Sequence, residues 1–158
     1  METEYLKMIK YYAKDILESK NMQKEKVLIQ HGNTSVYEHS LNVTIECLKI
    51  VEHLNITVDI KSLIRGALLH DYFLYDWHEK DKTHKWHGFR HAKTALKNAT
   101  RDFNLTEIEK NMIKTHMFPL NITPPKYREG IILCIADKII ATKETLEPYI
   151  NKIINYQN

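Results

Sequence analysis

The sequence contains little cysteine, glycine or proline, and it has no long apolar run. Two cysteines, four glycines and four prolines are spread over 158 residues. Cys47 and Cys134 lie far apart in apolar segments without CxxC spacing, which indicates buried, reduced thiols and argues against a disulfide or a cysteine zinc site. No stretch approaches the roughly 18 apolar residues that a membrane-spanning helix needs. These absences exclude several classes of secreted, zinc-binding and membrane protein.

A strong charge of either sign is missing as well. The net charge is +3, and lysine and arginine are scattered among aspartate and glutamate along the whole chain. Nucleic-acid binding usually requires a clustered basic face, so this distribution argues against DNA or RNA as a partner. The N-terminal METEYLKMIK has an acidic residue at position 2 and no apolar stretch of signal-peptide type. We therefore expect a cytoplasmic protein that binds neither membranes nor nucleic acids.

Length and hydrophobic content fit one domain. The 158 residues are 43% hydrophobic and 27% charged, which is ordinary for a globular chain with a core of useful size. Apolar residues recur at helical intervals, and there is no internal repeat, low-complexity tract or strand-type alternation. We predict a single all-α domain over residues 1–158, a compact bundle of about seven helices.

Helix boundaries are predicted where apolar periodicity meets a capping residue. Thr34 or Ser35 caps a helix that reaches about residue 54, and Thr106 with Glu109 forms a capping box at the start of another. The amphipathic first helix either completes the core or docks onto a second subunit of a homodimer. The other predictions are helices at about 3–19, 59–72, 88–100 and 126–146, a last helix from Pro148, and a short apolar piece at 27–29.

Five ionisable side chains interrupt the apolar faces of these predicted helices. His39, for example, lies three residues after Val36 and four before Val43, on the face that the two valines share. Taken singly, such a histidine is more often an ordinary hydrogen-bonded core residue than a ligand. The set of five is His39, His70, Asp71, His116 and Asp137.

Burying the whole set without compensation is too costly for one domain. An unpaired buried carboxylate costs several kcal/mol and an unsatisfied imidazole about 1–3 kcal/mol, against a net stability of about 5–15 kcal/mol. A divalent metal removes this conflict, because neutral imidazole and carboxylate are ligands that suit iron, manganese, zinc or cobalt. Four helices can each lend one or two groups to such a site. The sequence therefore predicts a central metal site.

The order of these residues, H…HD…H…H…D, resembles the HD-domain superfamily of metal-dependent phosphohydrolases in its two-metal form. The resemblance covers about residues 31–145 and is strongest to small stand-alone bacterial HD proteins. It implies that His39, His70, Asp71 and Asp137 bind one ion, and that Asp71 bridges to a second ion held by two further histidines. The implied cofactors are two divalent transition-metal ions, iron or manganese first, with zinc, cobalt, nickel or magnesium as alternatives.

One histidine of this pattern has more than one candidate. His84, His87 and His91 stand at i, i+3 and i+7, so spacing alone does not choose among them. In related two-metal members the ligand opens a helix with small residues four and eight positions later, which fits His91. The resemblance thus assigns His91 and His116 to the second metal, and His87 to the pocket mouth, where it contacts phosphate or donates a proton. If these roles are exchanged, the pair still supplies one ligand.

The resemblance implies hydrolysis of a phosphate ester or anhydride. Two cations bridged by Asp71 lower the pKa of a shared water toward neutrality and neutralise charge on the phosphate oxygens. Lys138, directly after Asp137, either binds a phosphate at the pocket rim or is solvated. Other superfamily members carry a lysine a few residues after the HD pair, and this chain departs from that pattern. Asp76 and His78 are the local candidates for a general acid in its place.

The substrate class depends on the aromatic residues between positions 72 and 86. They either stack on a nucleobase above the metals or pack as a cover on the core. The first functional hypothesis is an enzyme that hydrolyses a small phosphorylated metabolite, with a nucleotide as the leading candidate. Two other hypotheses stay open: a nucleotide-binding regulator with little turnover, and a di-iron oxygenase. The aromatic residues concerned are Tyr72, Phe73, Tyr75, Trp77 and Trp86.

Overall fold

The computed structural model describes the backbone of residues 2–31, 33–75 and 87–156 and the side chains of residues 2–30, 33–75 and 90–149. These residues form seven α-helices and one two-stranded antiparallel sheet, which confirms the predicted all-α bundle. The elements are α1 (Glu2–Leu17), α2 (Lys20–Lys24), β1 (Ile29–His31), β2 (Thr34–Ser35), α3 (Val36–Leu54), α4 (Ile60–Leu69), α5 (His87–Asp102), α6 (Glu107–Thr115) and α7 (Arg128–Tyr156).

Side-chain caps start the helices where the sequence predicts them. Ser35 is the N-cap of α3, and its hydroxyl accepts a hydrogen bond from the backbone N–H of Glu38, whose carboxylate accepts from the backbone N–H of Ser35 in return. Thr106 and Glu109 make the same reciprocal capping box at the start of α6. Each box satisfies backbone N–H groups that the first helical turn leaves without partners.

The helices differ from the sequence-based prediction in two places. Residues 20–24, for which no helix was predicted, form the short helix α2, which begins because the Ser19 hydroxyl accepts a hydrogen bond from Met22 N at 3.2 Å. Pro148 lies inside α7 and does not begin a separate helix. This proline is exposed, so α7 continues past it at the cost of one backbone hydrogen bond. The seven helices therefore include α2 and exclude a separate terminal one.

The core is organised around α4, in which every residue from Ser62 to Leu69 is buried. Helices α1, α3, α6 and α7 pack against it. Gly66 permits the close approach of α6, because a Cβ at this position would come within 2.6 Å of Met112 Sδ. The buried side chains of α1, among them Ile9 and Ile16, join the same core. The first helix thus completes the core of its own chain.

The segment between α2 and α3 is fixed to the beginning of α3. Leu28 O accepts a hydrogen bond from Val36 N at 2.7 Å, and Glu25 O accepts one from Tyr37 N at 3.3 Å. The pairing of β1 with β2 also holds this segment.

Among the described helices, none combines the length and apolar character that crossing a bilayer requires. Both cysteines are buried free thiols.

Candidate metal centre

Six ionisable side chains from five helices converge in the interior of the bundle. None of them is more than 9% exposed. Helices α3, α5 and α7 supply one residue each from within the helix, whereas α4 and α6 supply theirs at their C-terminal ends. The structure therefore brings together every residue that the sequence predicts as a metal ligand: His39, His70, Asp71, His91, His116 and Asp137.

His70 and His116 are oriented by the ends of the helices that they terminate. Each is the C-cap of its helix, where backbone carbonyls lack helical partners. His70 Nδ1 donates a hydrogen bond to Ala67 O at 2.7 Å, and His116 Nδ1 donates to Ile113 O at 2.9 Å. With the proton on Nδ1, a neutral imidazole presents the lone pair of Nε2. Both histidines thus direct a metal-ligating atom toward the centre.

His39 is oriented by a buried carboxylate that sequence reasoning missed. Its Nδ1 lies 2.7 Å from Glu144 Oε2, and Asn42 Nδ2 donates to the other oxygen of Glu144 at 3.1 Å. Its Nε2 faces Asp137 Oδ1 at 3.2 Å. A carboxylate behind the second ring nitrogen is typical of metal-bound histidine. The available signal was the seven-residue separation of Glu144 from Asp137, two helical turns on the same face of α7.

The two carboxylate oxygens of Asp71 point to different groups of histidines. Asp71 Oδ2 lies 3.4 Å from His70 Nε2 and 3.7 Å from His39 Nε2. Asp71 Oδ1 lies 3.3 Å from His91 Nε2 and 3.4 Å from His116 Nε2. One aspartate is therefore shared between two sets of imidazole nitrogens.

The donor chemistry of the cluster fits divalent cations. His70 Nε2 and Asp71 Oδ1 are buried and make no hydrogen bond among the described residues. His91 Nε2 and His116 Nε2 lie 2.8 Å apart and share one hydrogen bond. Two sets of ligand atoms lie within 4.8 Å of one another: His39 with His70 and Asp137, and His70 with Asp71 and His116. Imidazole nitrogens and carboxylate oxygens that converge in this way are suited to binding a divalent cation.

Neighbouring charges shift the pKa values of the histidines and aspartates in this cluster. Burial by itself would lower the pKa of His39, but its hydrogen bonds to Asp137 and Glu144 raise it to about 9. Burial also opposes a charge on His70, yet Asp71 raises its pKa well above the usual value. Burial likewise disfavours the charged carboxylate of Asp71, while His70 holds its pKa well below the usual range. Protons balance the buried charge here, and metal binding would displace them.

Comparison with known families identifies the fold around this centre. The family model of the HD domain matches residues 36–142, and this range includes all six converging residues. The chain belongs to the HD-domain family. HD domains form a superfamily of metal-dependent phosphohydrolases, so membership implies a hydrolase that binds divalent metal. Comparison with curated proteins and with solved structures gave no significant match.

Of the residues predicted to bind phosphate or donate a proton, the structure describes the side chain of Lys138 alone. Lys138 Nζ donates hydrogen bonds to His116 O at 3.4 Å and Cys134 O at 3.2 Å, so its ammonium lies beside the C-terminus of α6. His87 is the first residue of α5, but its side chain lies outside the described residues. The other predicted proton donors and the remaining histidine candidate, Asp76, His78 and His84, also lie outside them.

Two of the five aromatic residues beside the HD pair belong to the core. Tyr72 is 0% exposed and Phe73 is 2% exposed, so neither is available to stack on a nucleobase. Asn98 Nδ2 donates to the backbone carbonyls of both residues at 3.1 Å, which fixes this segment to α5. Tyr75 is half-buried, and Trp77 and Trp86 lie outside the described residues. For Tyr72 and Phe73, packing as a cover on the core is the correct interpretation.

Two polar residues beside the centre lie outside the part of the chain that the HD-domain family matches. Gln30 is 5% exposed, and its amide donates a hydrogen bond to Asp71 Oδ2. Glu25 is 0% exposed, and neither of its carboxylate oxygens has a hydrogen-bond partner within the described part of the chain. Burial, reinforced by the charge of Asp71, raises the pKa of Glu25 well above its ordinary value. In the apolar piece predicted at 27–29, Val27 is 80% exposed, whereas the polar residues on either side of the piece, Glu25 and Gln30, are buried.

Glu25→Gln is predicted to stabilise the protein at alkaline pH. Because the pKa of Glu25 is raised in the folded state, the folded protein keeps a proton that the unfolded chain releases above its ordinary value of about 4.5. The free energy of unfolding therefore decreases with rising pH from that value to the folded-state pKa, and glutamine removes this decrease. Urea unfolding at pH 5 and pH 8 should show a gain for the variant that grows with pH. The exposed Glu18→Gln serves as control, and an equal gain at both pH values contradicts the prediction.

Proposed function

We propose that the protein is a cytoplasmic phosphohydrolase that cleaves a phosphate ester or anhydride of a small phosphorylated metabolite, with a nucleotide as the leading candidate. The observation that carries this proposal is the position of Asp71, whose two oxygens face separate histidine groups at 3.3–3.7 Å. A shared carboxylate between two sets of imidazoles suits a pair of divalent ions, and paired ions favour phosphate hydrolysis.

The proposed ligand sets follow from this division. His39, His70, Asp71 and Asp137 would hold one ion, and Asp71, His91 and His116 would hold the other. Such ions, iron or manganese first, would supply an activated water and positive charge beside the phosphate oxygens. The carbonyls of Ala67 and Ile113 keep the Nδ1 protons in place, so that Nε2 of His70 and His116 remains a ligand. The chain thus orients the imidazole ligands and provides the charge of the carboxylate ligands.

Two further residues are proposed to act on the substrate. Lys138 carries a positive charge beside the carbonyl of His116, where it would attract a substrate phosphate. His87 lies one helical turn before His91 at the start of α5, and we assign it the transfer of a proton to the leaving oxygen. The proposed partners are the small substrate and, in a homodimer, a second copy of the chain, without membrane or nucleic acid. Light scattering after size-exclusion chromatography distinguishes a monomer from a homodimer.

Glu144→Gln is predicted to weaken metal binding while leaving the fold intact. The carboxylate accepts the Nδ1 proton of His39, and replacing its charge makes His39 a weaker and less ordered ligand. Changes in such outer partners typically cost about 10- to 100-fold in metal affinity. Manganese titration followed by calorimetry measures the effect, with the exposed Glu147→Gln on the same helix as control. Equal affinities for the two variants would remove Glu144 from the metal centre.

A phosphatase panel tests the proposed reaction. Manganese-loaded protein is incubated with sugar phosphates, nucleoside monophosphates, cyclic nucleotides and nucleoside polyphosphates, and released phosphate or nucleotide is measured. We expect turnover of at least one class and its loss with a chelator. Binding of nucleotides without turnover would favour the regulator, and oxygen consumption with reduced iron would favour the oxygenase. Either result contradicts the hydrolase.

A further inference from the structure

The segment from Glu25 to Gln30 lies against the aspartate that faces both histidine groups. Gln30 belongs to β1, and its backbone is held on one side by the pairing with β2 and near its start by the bond from Val36 N to Leu28 O. Its side chain is 5% exposed and donates its amide proton to Asp71 Oδ2. A buried side chain on a fixed backbone has little freedom to choose another partner.

This hydrogen bond distinguishes the two oxygens of Asp71. The Gln30 amide reaches the Asp71 carboxylate from outside the two histidine groups. It engages Oδ2, the oxygen on the side of His39 and His70, and leaves Oδ1 directed at His91 and His116. A carboxylate that serves two ions must present one oxygen to each, and rotation about its Cβ–Cγ bond would lose that division. Gln30 opposes the rotation.

We propose that Gln30 is a positioning residue of the metal centre: its amide holds Asp71 Oδ2 on the side of His39 so that Oδ1 is free to serve the second ion. The proposal rests on the proposed function in taking Asp71 as the shared ligand. It assigns a role to a residue that precedes the family match. It also gives a reason why this segment buries Gln30 and exposes Val27.

Manganese binding to Gln30→Met tests the proposal, because methionine keeps the length and lacks the donor. Two Mn²⁺ ions bridged by one carboxylate are magnetically coupled and give an electron paramagnetic resonance spectrum distinct from that of separate ions. Wild type should bind two ions with the coupled spectrum. In the variant the second ion should bind about 10- to 100-fold more weakly, and the coupled signal should be lost at concentrations that saturate wild type. Gln23→Met is the control, since Gln23 is exposed and its side-chain amide donates a hydrogen bond to the Leu17 carbonyl.

The outcomes separate the inference from the proposed function. Unchanged second-ion affinity and an unchanged coupled spectrum in Gln30→Met overturn the positioning role and leave the hydrolase intact. A wild-type protein without a coupled pair overturns both. If circular dichroism shows that Gln30→Met is unfolded, Gln30→Asn carries the same test with an amide too short to reach Asp71.

Discussion

Asp71→Ala should abolish retention of both metals and reduce turnover more than about 10³-fold. Asp71 is the residue whose oxygens reach both histidine groups, so its removal takes a ligand from each proposed ion. Loss of a single charge-stabilising donor already costs about 10²–10³ in other enzymes, and loss of the ions should cost more. Metal content by plasma mass spectrometry and phosphate release measure the two effects. Asp71→Asn, which preserves volume, separates lost charge from lost packing.

His53→Ala is the matched control for this prediction. His53 lies on α3, the helix that carries His39, but it is exposed. Its removal should leave metal content, turnover and thermal stability unchanged. If Asp71→Ala and His53→Ala retain equal amounts of metal, Asp71 is not the shared ligand and the two-ion arrangement is wrong.

Removal of metal should lower the melting temperature by about 10 °C. An ion that binds only the folded state adds about 2.7 kcal/mol at 100 times its dissociation constant and about 4.1 kcal/mol at 1,000 times. For a chain of this size each kcal/mol corresponds to about 2–4 °C. The cluster also loses the cations that offset its buried carboxylates and must take up protons instead. Differential scanning calorimetry before and after chelation, followed by manganese addition, measures the loss and its recovery.

The control for chelation is Asp71→Ala, the variant that is expected to retain no metal. Asp71→Ala should show no further decrease on chelation, because it has no ion to lose. A wild-type protein that contains metal yet melts at the same temperature after complete chelation would show that the ions do not bind within the folded core.

The predicted ligands could be identified from the sequence because they lie within regular helices or directly follow a helix end. In an α-helix the apolar stripe repeats at fixed intervals, so an ionisable residue on that stripe, such as His39, is recognisable by position alone. The same periodicity supports His116 and Asp137. The capping residues Ser35 and Thr106 were likewise recognisable, because their hydroxyls bond to groups only three residues away.

Residues fixed by distant contacts could not be predicted in this way. Gln30 and Glu25 lie where no helical period applies, and backbone hydrogen bonds to the beginning of α3 determine which of their neighbours are buried. The tautomer of His70 depends on its bond to Ala67 O, a matter of ring geometry and not of residue order. The burial of Tyr72 depends on its hydroxyl bond to Asp102 at 3.0 Å and on the contact of its carbonyl with α5. Each is a tertiary effect.

Metal content is the most direct test of the central claim. Protein purified without chelator, dialysed and analysed by plasma mass spectrometry should contain about two iron or manganese ions per chain, because the two oxygens of Asp71 face separate groups of buried histidines. A folded, fully soluble protein that contains no metal, and that takes up none when iron or manganese is supplied, would contradict the account.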